Sequence, residues 1–75
     1  MTKNEFIKSI KNLRLDFESN ENVWENKTIP EYLDAIERYA DDIQGYYDNT
    51  TQNIDSEKAS WKIFSDILTG ASIYE

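Results

Sequence analysis

The chain has 75 residues and a net charge of −7, with neither cysteine nor histidine. That excludes disulfides, thiolate nucleophiles, histidine-based proton transfer and most zinc sites. It also disfavours direct nucleic-acid binding, because phosphate contacts need a basic patch. The first segment, 2–18, reads as a helix. Thr2 and Glu5 have capping-box spacing, and Phe6, Ile10, Leu13 and Phe17 follow at steps of four, three and four, which stack on one helical face. Ile7 widens that stripe and Leu15 falls off it.

From Ser19 to Lys27 the periodicity stops, and Asn20, Asn22 and Asn26 favour turns. Trp24 lies inside this polar stretch and is read as a plug over the core, since so small a domain needs the buried area of an indole. Thr28 opens a second helix, 29–45, with Glu31 three residues later and Pro30 in the first turn. Ile29, Leu33, Ile36, Ala40, Ile43 and Tyr47 form its expected apolar stripe, with Tyr32 and Tyr39 beside it. Gly45 is expected to end or loosen the helix; one further turn through Tyr46 and Tyr47 is the alternative.

Residues 48–57 are the most polar stretch and read as a loop. A last helix, 58–73, carries Trp61, Phe64, Leu68 and Ala71 on its expected buried face, with Ile67 alongside. Gly70 inside it costs about 1 kcal/mol relative to alanine, which implies close packing or fraying there. The fold class expected is all-α: a small three-helix bundle, one domain over 1–75. A two-helix hairpin that dimerises to complete its core is the competing architecture.

Catalysis would have to rest on carboxylates, lysines or tyrosines, and no enzyme activity is expected. Asp41 and Asp42 are adjacent and diverge on a helix. Asp34, Glu37, Asp41 and Asp42 share a face opposite Leu33, Ile36 and Ala40, so they are expected to look outward into solvent rather than inward at a metal. The loop from Asp48 lacks the glycine and glutamate of a calcium loop; its twelfth position is Ala59. No cofactor and no metal are expected. No signal peptide or membrane span is visible, and a cytoplasmic setting is expected; the sequons at Asn26 and Asn49 are then coincidental.

Charge is segregated along the chain. In the first twenty residues Lys3, Lys8, Lys11 and Arg14 outnumber Glu5, Asp16 and Glu18 by one, and the remainder carries −8. Glu31 to Asp48 holds six acids and only Arg38. A negative helix face speeds association with a basic partner. The expected partner-binding residues are therefore Glu31, Asp34, Glu37, Asp41 and Asp42, with Tyr46 and Tyr47 as anchors. The reading is a non-enzymatic interaction protein, immunity- or antitoxin-like, monomeric or homodimeric. The alternative is a small-molecule or divalent-metal domain using the Trp24–Asn26 and 48–57 loops.

The strings Leu13-Arg14-Leu15-Asp16-Phe17, Trp24-Glu25-Asn26, Tyr32-Leu33-Asp34-Ala35, Gly45-Tyr46-Tyr47-Asp48-Asn49, Ser60-Trp61 and Ile73-Tyr74-Glu75, in this order and spacing, resemble an uncharacterised bacterial domain-of-unknown-function family of short acidic proteins. The likeness runs from Phe6 onward and departs from the family pattern at Gly70. It implies a standalone domain and no known activity. Within it, Trp24-Glu25-Asn26 is read as a device at the start of the second helix, with Asn26 bonding the turn backbone. A pocket shared by Trp24, Asn26 and the Gly-Tyr-Tyr segment is the functional alternative.

Overall fold

Each helix begins where a hydroxyl can satisfy its first free amides. In the computed structural model, which describes residues 1–75, α1 spans Lys3–Asn20, α2 Ile29–Asn49 and α3 Trp61–Ala71. Thr2 Oγ1 accepts from the Glu5 amide at 3.2 Å while Glu5 Oε1 accepts from the Thr2 amide at 2.8 Å, a complete capping box. Those bonds, the backbone one first, hold the Glu5 carboxyl below its usual range. Thr28 caps α2 through the Glu31 amide, with Pro30 in the first turn. Ser60, not Lys58, starts α3: its Oγ accepts from the Ile63 amide at 3.2 Å.

Helix α2 does not end at Gly45. Ile43 and Tyr47 are both fully buried one turn apart, and that shared face carries the helix through the glycine, which keeps a negative φ. The helix stops at Asn49, and Thr51 turns the chain with φ 56°. The 48–57 segment is tied down from within. Gln44 Oε1 accepts from the Ser56 amide at 2.8 Å, its Nε2 donates to the Ile54 carbonyl at 2.9 Å, and Ile54 packs on the core of Ile43, Tyr47 and Ile63.

The short helix α3 is central: α2 and α1 each pack on it. Two different faces of α3 are therefore engaged. Ile63 and Ile67 join α2's core, while Trp61 and Phe64 meet Phe6 of α1 and Ser65 donates to Ser9 at 3.0 Å. The expected stripe of Trp61, Phe64, Leu68 and Ala71 thus omitted the α2 contact made by Ile63. On α2 the expected stripe was rotated. Ile29 and Leu33 are 76% and 59% exposed, Ala40 is exposed, and the inward face runs through Tyr32, Ala35, Ile36, Tyr39, Ile43 and Tyr47. The tyrosines win because each buries a ring yet finds a partner for its hydroxyl; Tyr32, for example, donates to the Leu68 carbonyl at 2.6 Å.

Gly70 is the one glycine whose missing side chain the packing uses. A Cβ there would fall well inside van der Waals contact with the Tyr39 ring, whereas one on Gly45 would meet nothing within 4 Å. Close packing, not fraying, explains Gly70. Gly70→Ala gains about 1 kcal/mol of helix propensity and costs about 1–3 kcal/mol of overpacking. A net loss near 1 kcal/mol, a fall of roughly 4–8 °C in melting temperature, is expected. In a Tyr39→Ala background the same change should instead stabilise; a loss in both backgrounds would separate the effect from the ring.

Candidate functional site

The Trp24 segment closes one end of the molecule. Trp24 is buried, with its ring edge-on to Phe17 at 5.0 Å, tilted against Tyr32 at 5.7 Å, and with Nε1 donating to Asp16 Oδ2 at 2.8 Å. Asn26 is buried too, but it does not bond its own turn. Its Nδ2 donates to the carbonyls of Ala71 at 2.9 Å and Tyr74 at 2.7 Å, and its backbone amide donates to Ser72 at 3.3 Å. It caps the end of α3, whose last carbonyls lack intrahelical donors. Trp24 and Asn26 line a hollow of about 150 Å³ that does not include Tyr46 or Tyr47, so the two motifs do not share a pocket.

The acids of α2 are all exposed, but they differ in what holds them. Glu31 Oε1 accepts from the Thr28 hydroxyl at 2.7 Å and belongs to the cap. Asp34 pairs with Arg38 at 2.9 Å; the same guanidinium donates to the Glu75 carbonyl at 2.7 Å and lies 5.3 Å from the Tyr74 ring centroid. Asp42 accepts the Tyr74 hydroxyl, and that bond, more than burial, pushes the phenol's ionisation up. Glu37 and Asp41 carry no bond within the fold and share the outer side of α2 with Asp34. Only two ion pairs form in a chain of fifteen acids, so most of the negative charge is not neutralised locally.

Tyr46 is half exposed, whereas Tyr47 is fully buried with its hydroxyl on Asp66 Oδ2 at 2.7 Å. Tyr47 is therefore a core residue and drops out of the expected anchors. Tyr46 instead joins a cleft of about 250 Å³ between α2 and α3, lined by Tyr39, Tyr46, Asp66, Thr69, Gly70 and Ile73. Tyr39, Asp42 and Tyr46 follow at helical steps of three and four and so share one side of α2. Asp66 takes both of its bonds, from Tyr47 and from Lys62 at 2.7 Å, on the single oxygen Oδ2. No buried side-chain atom lacks a partner, so Oδ1 is open to solvent. Burial first, and then the negative neighbours, push the Tyr39 phenol above its usual range.

Aromatic faces beside an open carboxylate can hold a cation. No three acidic side chains converge as a metal would require, and two of the three carboxylates of the 48–57 segment serve the chain itself. Asp48 accepts from Gln44 at 3.1 Å and Asp55 from the Glu57 amide at 3.0 Å. Asp66 and Thr69 escaped the sequence reading, which placed Tyr39 only beside the apolar stripe of α2. The available signal was Asp66, the lone acid of α3, placed one turn before Gly70.

Fold and site together define a small all-α domain with an aromatic core and an acidic outer helix. The chain belongs to a family of unknown function, DUF7660, whose model matches residues 2–75. No curated protein and no solved structure matches it. No helix is long and apolar enough to cross a membrane.

Proposed function

We propose that this chain is a non-enzymatic protein-interaction module, acting in the cytoplasm as an immunity- or antitoxin-like inhibitor of a basic partner. The observation that carries this reading is the cleft of Tyr39, Tyr46 and Asp66 beside the acidic side of α2. Glu37 and Asp41, unpaired in the fold, with Asp34 and Asp42, steer a cationic surface toward α2. An arginine or lysine side chain of the partner then enters between the two tyrosine rings and reaches Asp66 Oδ1. Tyr46 is the anchor at the rim of the cleft.

Size argues against the small-molecule alternative. The three hollows measure about 150, 250 and 220 Å³, below the roughly 300–1,000 Å³ of ligand pockets. A basic protein captured from native lysate at low salt, and released at high salt, supplies the partner for kinetics. Charge reversal of Asp34 and Asp41 to lysine is expected to slow association about tenfold or more at low salt and hardly at all at high salt. Tyr46→Ala should chiefly raise the dissociation rate, by about tenfold or more. Association indifferent to both charge reversals would end the steering proposal.

A further inference from the structure

Charge alone does not define which cation fits the cleft between α2 and α3. Asp66 is the only carboxylate that lines it, and that carboxylate is already engaged. Lys62 Nζ lies 2.7 Å from Asp66 Oδ2 and 5.8 Å from the Tyr47 ring centroid. A second cation at Oδ1 therefore meets a largely neutralised carboxylate with an ammonium beside it. Coulomb attraction is weak there. A compact, strongly hydrated ammonium would shed its water for little.

The rest of the cleft is aromatic. Gly70 carries no Cβ, so the Tyr39 ring lies directly on α3. Tyr46, 45% exposed, stands two turns further along the same side of α2. Two turns separate their backbones by roughly 10 Å. The cleft of about 250 Å³ far exceeds the roughly 30 Å³ of a water-sized group. An ammonium of that size rests on one ring at a time. A guanidinium is planar, weakly hydrated and spreads its charge over three nitrogens, and with its methylene stem it reaches both rings.

Thr69 adds a second acceptor. It follows Asp66 by one turn on α3 and lines the same cleft. The Ser72 hydroxyl donates to its carbonyl, while its own hydroxyl has no partner in the fold. A guanidinium fork offers separate donors to Asp66 Oδ1 and Thr69 Oγ1. The chain makes a similar pairing once by itself, where Arg38 lies 5.3 Å from the Tyr74 ring centroid and pairs with Asp34. The geometry points to arginine, not lysine, as the partner side chain that this cleft accepts, with Lys62 setting the preference through its charge on the far oxygen of Asp66. This rests on the reading of the cleft as a cation site and narrows it.

Nuclear magnetic resonance of the isotope-labelled full chain tests it, with N-acetyl-arginine amide and N-acetyl-lysine amide as probes at matched ionic strength. The arginine probe should shift the Tyr39 and Tyr46 ring signals and the Thr69 amide saturably at millimolar concentration. It should bind about fivefold or more tighter than the lysine probe. Tyr46→Ala should remove most of that difference. Lys62→Gln should strengthen the lysine probe more than the arginine probe, so that the preference shrinks to about twofold or less. Lys62 is half exposed, and a thermal melt close to the parent's shows that the variant is folded. A lysine probe that binds the parent as tightly as arginine would overturn the inference and leave a basic partner on α2 in place. A preference undiminished in Lys62→Gln would overturn the role of Lys62. No saturable shift in the cleft from either probe, up to tens of millimolar, would remove the cleft as a cation site; steering by α2 is then judged separately, by the association rate of the Asp34 and Asp41 reversals.

Discussion

Tyr47→Ala is expected to leave the chain at the edge of unfolding at room temperature, with about 0–2 kcal/mol of stability remaining. The side chain is fully buried between Ile43 and Ile63, and deleting a buried aromatic costs about 3–5 kcal/mol. Small domains hold only about 5 kcal/mol in total, and this one, with six buried apolar residues, has no surplus. Tyr47→Phe isolates the hydroxyl. Losing a bond to a carboxylate costs about 1.5–3 kcal/mol, but Asp66 keeps Lys62 and its open oxygen. A loss near 1 kcal/mol is therefore expected, read as a lower urea midpoint at constant slope.

Tyr47 also makes stability fall at high pH. Burial first, then the bond to Asp66 and nearby negative charge, push its phenol well above the usual range; burial alone pushes Tyr32 up to about 12. Between the ordinary phenol range near pH 10 and these raised values, the unfolded chain has released protons that the folded chain retains. Stability is therefore full below about pH 10 and declines as pH rises through the folded values. In Tyr47→Phe one of those protons is gone. The decline between pH 9 and 11, measured by urea unfolding, should be shallower than in the parent. Equal slopes would mean that Tyr47 ionises as easily folded as unfolded.

Asn26→Ala is expected to cost about 2–4 kcal/mol, because it strips donors from two carbonyls at the closed end of the molecule, each worth about 1–3 kcal/mol when left unpaired. Position 26 lies 45 and 48 residues from those partners, so the loss should also loosen the chain after Ala71. Amide exchange at Ser72 to Tyr74 should quicken more than exchange within α2. Asn26→Asp is a sharper test. A carboxylate facing two carbonyls is repelled, and only its protonated form can donate to one. Its own ionisation should be raised, so the penalty is full near pH 7 and eases as pH falls toward about 5. A variant whose melting temperature does not rise on mild acidification would contradict the clamp geometry.

What the sequence determined by itself is local. Thr2 with Glu5, and Thr28 with Glu31 and Pro30, each act within one turn, and both helices begin where these residues place them. The run of Phe6, Ile10, Leu13 and Phe17 needed only helical spacing, and all but Ile10, which is 38% exposed, are partly buried. Charge segregation is additive along the chain, so the acidity of α2 was readable without a fold. Trp24 as a plug followed from the scarcity of apolar area in so short a chain.

Tertiary structure decided the rest. Which way α2 turned was a competition between aliphatic Ile29 and Leu33 and aromatic Tyr32, Tyr39 and Tyr47. Periodicity counts both sets alike, and only α3's carbonyl at Leu68 and carboxylate at Asp66 favour the tyrosines. Gly45 stayed helical because burial of Ile43 and Tyr47 on either side outweighs a local cost of about 1 kcal/mol. Gly70 acquired its reason only once Tyr39 lay against it. Asn26 and the Tyr39–Tyr46–Asp66 cleft depend on groups far apart in the chain. Such partners leave no mark in local spacing, since a hydrogen bond or a ring contact requires proximity in space alone.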